Sequence, residues 1–194
     1  MTLTEALLPR SLVTKAMLVA GGVIALTLAS RVEVPMWPVP MTLQTLTVLL
    51  IGFAYGARLG GLTLLAFLAA GAAGLPVFAG GRPMFPLGPT FGFLAGFLMI
   101  AVLAGLAADR GLRGFVPTAL VALALSALLY VPGVAWAMLA DSLFGIDAAK
   151  WGADSLASIW QYYMAPFLLG DAVKAAIAAL IVSAGWAAAG ARAG

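Results

Sequence analysis

The amino-acid sequence predicts an all-α integral membrane protein: six transmembrane helices in one compact bundle, residues 1–194 as a single domain, with both termini cytoplasmic. Three observations carry that prediction. The chain is 64% hydrophobic and only 9% charged, against about 45–50% and about 25% in soluble domains. Its charge-free runs cover 16–30, 34–57, 59–81, 83–108, 114–140 and 175–191, and a spanning helix needs roughly 20 apolar residues. The connections between the runs alternate long and short, and their basic residues divide unevenly. Arg10, Lys15, Arg58, Arg110, Arg113 and Arg192 fall on one side, and Arg31, Arg82 and Lys150 on the other. Lys and Arg concentrate on the cytoplasmic face, which assigns the termini to that face and the three long connections to the outer one.

The first helix is expected near 12–30. Its basic flank, Arg10 and Lys15, is one a signal peptide would share, but no small-residue cleavage site with a polar mature domain follows, so it reads as a retained helix. Ala16 and Ala20, then Gly21, Ala25 and Ala29, give it a smooth small-residue face. Such a face suits close approach of another helix, within this chain or from a partner.

The connection Arg31–Met41 contains Pro35, Pro38 and Pro40, which forbid a regular helix and favour a stiff extended loop. The second helix, near 42–56, covers only part of a bilayer at 1.5 Å per residue. Thr42 is a candidate N-cap, and Gln44 and Thr45 either bond between helices or face a cavity.

A third helix near 59–75 leads into Pro76–Pro89, rich in Gly and Pro. Glycine lets backbone approach a ligand closely, and Thr90 opens a fourth helix near 89–108. Arg82 is the one basic residue of this connection: a clamp for a carboxylate or a headgroup anchor. The fifth helix is expected near 114–139. It is followed by Asp141–Gln161, which carries Asp141, Asp147, Lys150 and Asp154 and the interfacial anchors Trp151 and Trp160. Aromatics gather near the same side: Trp37, Phe78, Phe85, Tyr130, Trp136, Tyr162 and Tyr163. They form an interfacial belt or line an apolar slot for a ring.

The sixth helix, near 163–189, holds Asp171 and Lys174 in otherwise apolar sequence. At i and i+3 both heads leave one face, and ionisable groups at membrane depth mark a substrate, ion or proton site. A carboxylate accepts and an ammonium donates, so the pair matches a cyclic urea or amide. The competing reading is a salt bridge that stitches helices, seldom worth its desolvation in a bilayer.

The chain has no Cys and no His, so disulfides, thiolate chemistry, haem ligation by His and Ser-His-Asp triads are excluded. No metal and no cofactor are expected, and carboxylates alone make a poor zinc or iron site. Without a Gly-Lys dipeptide there is no P-loop. The net charge of +3 is spread thinly, which sets nucleic acid aside. An enzyme is not expected. A self-sufficient secondary transporter of a small vitamin-like solute, with Asp171 as its relay, is the alternative, although such carriers usually show two similar halves.

Several segments together carry a resemblance. They are Val39-Pro40-Met41-Thr42-Leu43-Gln44-Thr45, Gly74-Leu75-Pro76-Val77-Phe78-Ala79-Gly80, Gly88-Pro89-Thr90, Tyr130 with Gly133 and Trp136, and Pro166-Phe167 with Gly170-Asp171 and Lys174. In order and spacing the chain resembles the biotin-specific substrate-binding subunit, or S component, of energy-coupling factor vitamin transporters. The resemblance implies a six-helix bundle in the bacterial cytoplasmic membrane that binds biotin with high affinity near the outer surface. It also implies partners: a transmembrane scaffold subunit, docked on the Ala16 and Ala20 face, and two ATPases. The binding residues it points to are Asp171, Lys174, Gln44, Thr42, Arg82, Phe78, Thr90, Tyr130, Trp136 and Tyr163. The chain has Phe91-Gly92-Phe93 where that family often has Gly-Gly-Tyr, and lacks an Asn near Gly80 that some members carry, which leaves Arg82 as the candidate for biotin's carboxylate.

Overall fold

A computed structural model describes residues 2–9, 11–84 and 87–191. Arg10 and Arg192 of the charge count and Phe85 of the aromatic group lie outside the described residues. The chain is helical almost throughout: α1 (Leu3–Leu7), α2 (Leu12–Arg31), α3 (Gln44–Ala72), α4 (Phe91–Asp109), α5 (Phe115–Phe144), α6 (Leu156–Ile159) and α7 (Leu168–Ala191). Five helical stretches are long and apolar enough to cross a membrane: Leu12–Arg31, Gln44–Ala72, Phe91–Asp109, Phe115–Phe144 and Ala149–Gly190. The protein is a multi-pass membrane protein.

The Gln44–Ala72 stretch is not one straight rod. Gly56 has φ 81° and ψ 173°, a conformation open essentially to glycine alone. A Cβ on Gly60 would lie 3.4 Å from the Cα of Gly52, whereas eight residues of unbroken helix would separate them by about 12 Å. The chain therefore folds back on itself, with arms 44–55 and 57–72. The second arm opens with bare N–H groups, and the Asp109 carboxylate at the end of α4 accepts from Ala57 N at 3.1 Å. That cap ties α4 to the reversal.

Packing is uneven around the bundle. Val48, Leu49, Phe53, Leu64, Phe67 and Ile100 of α3 and α4 are fully buried. On α2 only Gly22, Leu26, Ala29 and Ser30 are buried, so most of that helix lies on the periphery. Pro132 sits inside α5, where it removes one intrahelical hydrogen bond.

Three local structures depart from the sequence expectations. The Arg31–Met41 loop contains a two-rung antiparallel hairpin, with Glu33 opposite Thr42 and Val34 opposite Met41 (β1, Glu33–Val34; β2, Met41–Thr42). The prolines confine pairing to the residues outside them. The last helix begins at Leu168 rather than near 163. A π-turn over Trp160–Met164 and a 3₁₀ turn over Ala165–Phe167 precede it, because Pro166 has no N–H to give to a regular α-turn. Finally α1, not expected, is closed by a capping box between Thr2 and Glu5. It packs across the terminal end of the bundle, with Thr4 Oγ1 donating to Ala54 O at 3.2 Å.

Candidate functional site

At the end of the bundle that carries the hairpin, α7 starts with Asp171 and Lys174, 7% and 6% exposed. Helical spacing puts them one turn apart, and Lys174 Nζ lies 3.3 Å from Asp171 Oδ1. The other carboxylate oxygen, Oδ2, accepts from Tyr130 OH of α5 at 2.6 Å. The charges are thus compensated as a buried pair must be, and the carboxylate is held from both sides. Tyr130 is itself set edge-on to Phe93, with ring centroids 6.3 Å apart.

Gln44 lies at the start of α3, 3% exposed. The helix N-cap position is Leu43, which offers no side-chain cap. Thr42, one residue earlier, serves instead: its Oγ1 accepts from Gln44 N at 3.2 Å and donates to Gln44 Oε1 at 3.2 Å. Gln44 Nε2 is buried without a partner among the described residues, an uncommon state for a buried amide.

All of these groups face one cavity of about 620 Å³, within the range of small-molecule sites. Asp171, Lys174, Tyr130, Gln44 and Thr42 supply its polar wall. Phe93, Phe97, Leu129 and Phe167 make it apolar elsewhere, and the hairpin, with Met36 and Trp37, lies over it. Phe78, Thr90 and Arg82 also line it, Arg82 at an exposed position. Ser30 Oγ donates to Val77 O at 2.9 Å, and the Arg31 guanidinium donates to Pro76 O, so the last turn of α2 holds the start of the 76–84 connection in place.

Trp136 and Tyr163, grouped with these residues in the sequence, stand behind the wall rather than in it. Trp136 Nε1 donates to Gly88 O at 2.9 Å, and its ring packs on Phe91 and Trp151. Tyr163, fully buried, donates to Trp151 O at 3.0 Å. Both support residues that line the cavity. Trp151 itself reaches the wall, although an interfacial Trp in a charged loop gives no sequence signal of that role. Glu33 lines the rim because it is the cross-strand partner of Thr42, and such partners project from one face.

Ala16 and Ala20 lie far along α2 in chain from the hairpin, at exposed positions. With Val19, Val23, Leu59 and Leu62 they border a shallow apolar groove between α2 and the second arm of α3. Among the described residues no group of acidic side chains could hold a metal ion.

An acceptor (Asp171), an ammonium donor (Lys174) and an amide donor (Gln44) line one cavity together with a largely aromatic wall. Such a lining matches a neutral polar head with a carbonyl between N–H groups, carried on an apolar body. Fold and site together define a multi-pass membrane protein with a cavity of small-molecule size at one end of its bundle. Residues 3–191 match the BioY family, and the chain belongs to that family. A biotin transporter BioY of Rhodobacter capsulatus is 38% identical over 154 residues, which cover 74% of this chain and 76% of that protein. One of Rhizobium etli is 34% identical over 174 residues, 84% and 87% of the two chains. Among solved structures, the S-component for biotin from an ECF-type ABC transporter superposes with a TM-score of 0.70 at 22% identity. The match covers 88% of this chain and 89% of that one and shows the shared fold.

Proposed function

We propose that this chain is the biotin-binding S component of an energy-coupling factor transporter, taking up biotin across the bacterial cytoplasmic membrane. The observation that carries this reading is the buried triad of Asp171, Lys174 and Tyr130, which lines one cavity with Gln44, whose Nε2 has no partner among the described residues, in a member of the BioY family. Biotin's ureido ring gives N–H to Asp171 and takes hydrogen bonds from Lys174 and Gln44. Its sulfur ring and valeryl chain lie along the phenylalanine wall, and its carboxylate reaches Arg82 at the rim. Phe78 and Thr90 complete the lining. No bond of biotin is made or broken.

The finer architecture belongs to the same proposal. The two arms of α3 count as separate crossings, making six in one domain. Both termini are cytoplasmic, supported by the distribution of Lys and Arg, and the hairpin end is outermost. Ala16 and Ala20 dock a transmembrane scaffold subunit that carries two ATPases, because the chain has no P-loop of its own.

Isothermal calorimetry of the detergent-purified protein with biotin tests the reading: saturable one-to-one binding is expected, and none at micromolar biotin overturns it. The chain contains no Cys, so single cysteines placed at Thr4 and at the exposed Asp147 report sidedness directly. Labelling of the Thr4 site by an impermeant reagent in intact cells overturns the topology.

A further inference from the structure

The partnerless donor on Gln44 has a physical cause, and it lies in Thr42. Thr42 Oγ1 accepts the backbone N–H of Gln44, so the hydroxyl's single proton goes to an acceptor elsewhere. Gln44 Oε1 is that acceptor, at 3.2 Å. If the amide were turned over, its NH₂ would face the hydroxyl, whose own proton would then have no protein acceptor among the described residues. This arrangement holds the amide oxygen toward Thr42 and turns Nε2 the other way, on a side chain that lines the cavity, where Nε2 is close-packed and finds no protein partner among the described residues. Thr42 is fixed in turn by its place in β2 opposite Glu33 and by the bond from Leu43 N to Val32 O, 3.2 Å, at the base of the hairpin.

We infer that Thr42 is a positioning residue that sets the polarity of ligand recognition: by orienting Gln44 it makes the cavity demand an acceptor between the ligand's N–H groups. The inference rests on the biotin reading above. A ureido carbonyl meets that demand. A guanidino group in its place, carrying C=NH₂⁺ at neutral pH, presents a donor to the Gln44 and Lys174 donors and is refused, since unpaired buried polar groups are what discriminates such analogues. With the hydroxyl removed, the Gln44 amide is free to turn its oxygen inward and accept from the guanidino group.

The test measures affinity for biotin and for 2-iminobiotin, the guanidino analogue, on the same preparation of each variant, and compares the ratio. A misfolded fraction cancels from a ratio. Thr42→Val, which keeps shape and loses the hydroxyl, is expected to weaken biotin about three- to tenfold, the worth of one neutral hydrogen bond. The biotin preference should fall by at least the same factor. Thr42→Ser restores both. On a Gln44→Leu background, Thr42→Val changes the ratio no further, because Thr42 acts through Gln44. An unchanged ratio in Thr42→Val, or a further change on the Gln44→Leu background, overturns the positioning role while leaving biotin binding intact. A parent protein that binds no biotin overturns the functional reading and the inference with it.

Discussion

Tyr130 of α5 and Asp171 of α7 are joined by a 2.6 Å hydrogen bond that orients the carboxylate before any ligand arrives. The bond crosses between two packed helices. It leaves Asp171 Oδ1 to share between Lys174 and an incoming N–H. A short bond to a charged acceptor contributes about 1.5–3 kcal/mol.

Tyr130→Phe is therefore expected to weaken biotin binding by about tenfold, since the carboxylate loses its outer restraint while the ring and its packing remain. Calorimetry on the purified variant checks this, and an affinity equal to the parent's contradicts it.

Removing one member of the ion pair leaves the other buried and uncompensated. Asp171→Asn and Lys174→Ala are each expected to cost roughly 2–4 kcal/mol of biotin affinity. The paired replacement Asp171→Leu with Lys174→Met should melt higher than either charge-removing single variant, because no buried charge remains, yet bind no biotin. Thermal melts beside calorimetry separate the two effects; a double variant that binds biotin would remove the pair from the site.

The hairpin reaches over to the segment before α7. Trp37 stands edge-on to Tyr162 with ring centroids 5.5 Å apart, and it closely approaches Gly152. Trp37→Ala is expected to speed biotin release several-fold with little change in association rate, as loss of a cover does. Biotin should also slow limited proteolysis near Arg31 in the parent. Equal cleavage with and without saturating biotin counts against closure by this segment.

Ala16→Trp and Ala20→Trp are expected to abolish co-purification with the coupling module and leave biotin affinity unchanged. Bulk at these positions blocks close helix approach, and neither residue borders the cavity. Loss of both properties would assign that face to packing within the chain.

Gly56→Ala tests the reversal in α3. A Cβ there would meet Asp109 Oδ1 at 2.5 Å and impose a backbone conformation that costs about 1–3 kcal/mol. A clearly lower melting temperature is expected in a detergent thermal-shift assay, and an unchanged one contradicts the strain.

The apolar spans were legible in the sequence because a bilayer filters for charge, and few charges interrupt this chain. Asp171 and Lys174 stood out for the same reason. Tyr130 stood in the sequence as one of seven gathered aromatics and was singled out by resemblance, since an aromatic at membrane depth carries no mark of what its hydroxyl touches. The hairpin was hidden because two rungs flanking prolines have no alternating pattern to read. Trp136 and Trp151 exchanged roles: both look like interfacial aromatics in sequence, and only packing across the cavity decides which one reaches its wall. The α1 helix was within reach, because Thr2 and Glu5 have capping-box spacing, but five residues raise no periodic signal.

The first arm of α3 is too short to cross a bilayer by itself, and it packs inside the bundle. Residues 44–55 rise only about 18 Å, short of a hydrocarbon core about 30 Å thick, and none of them is exposed. Neighbouring helices therefore surround the arm and spare it the mismatch that a lipid-facing helix of that length would meet. The cavity begins where the arm stops, at Gln44, so its depth comes from protein packing and needs no thinning of the membrane around it.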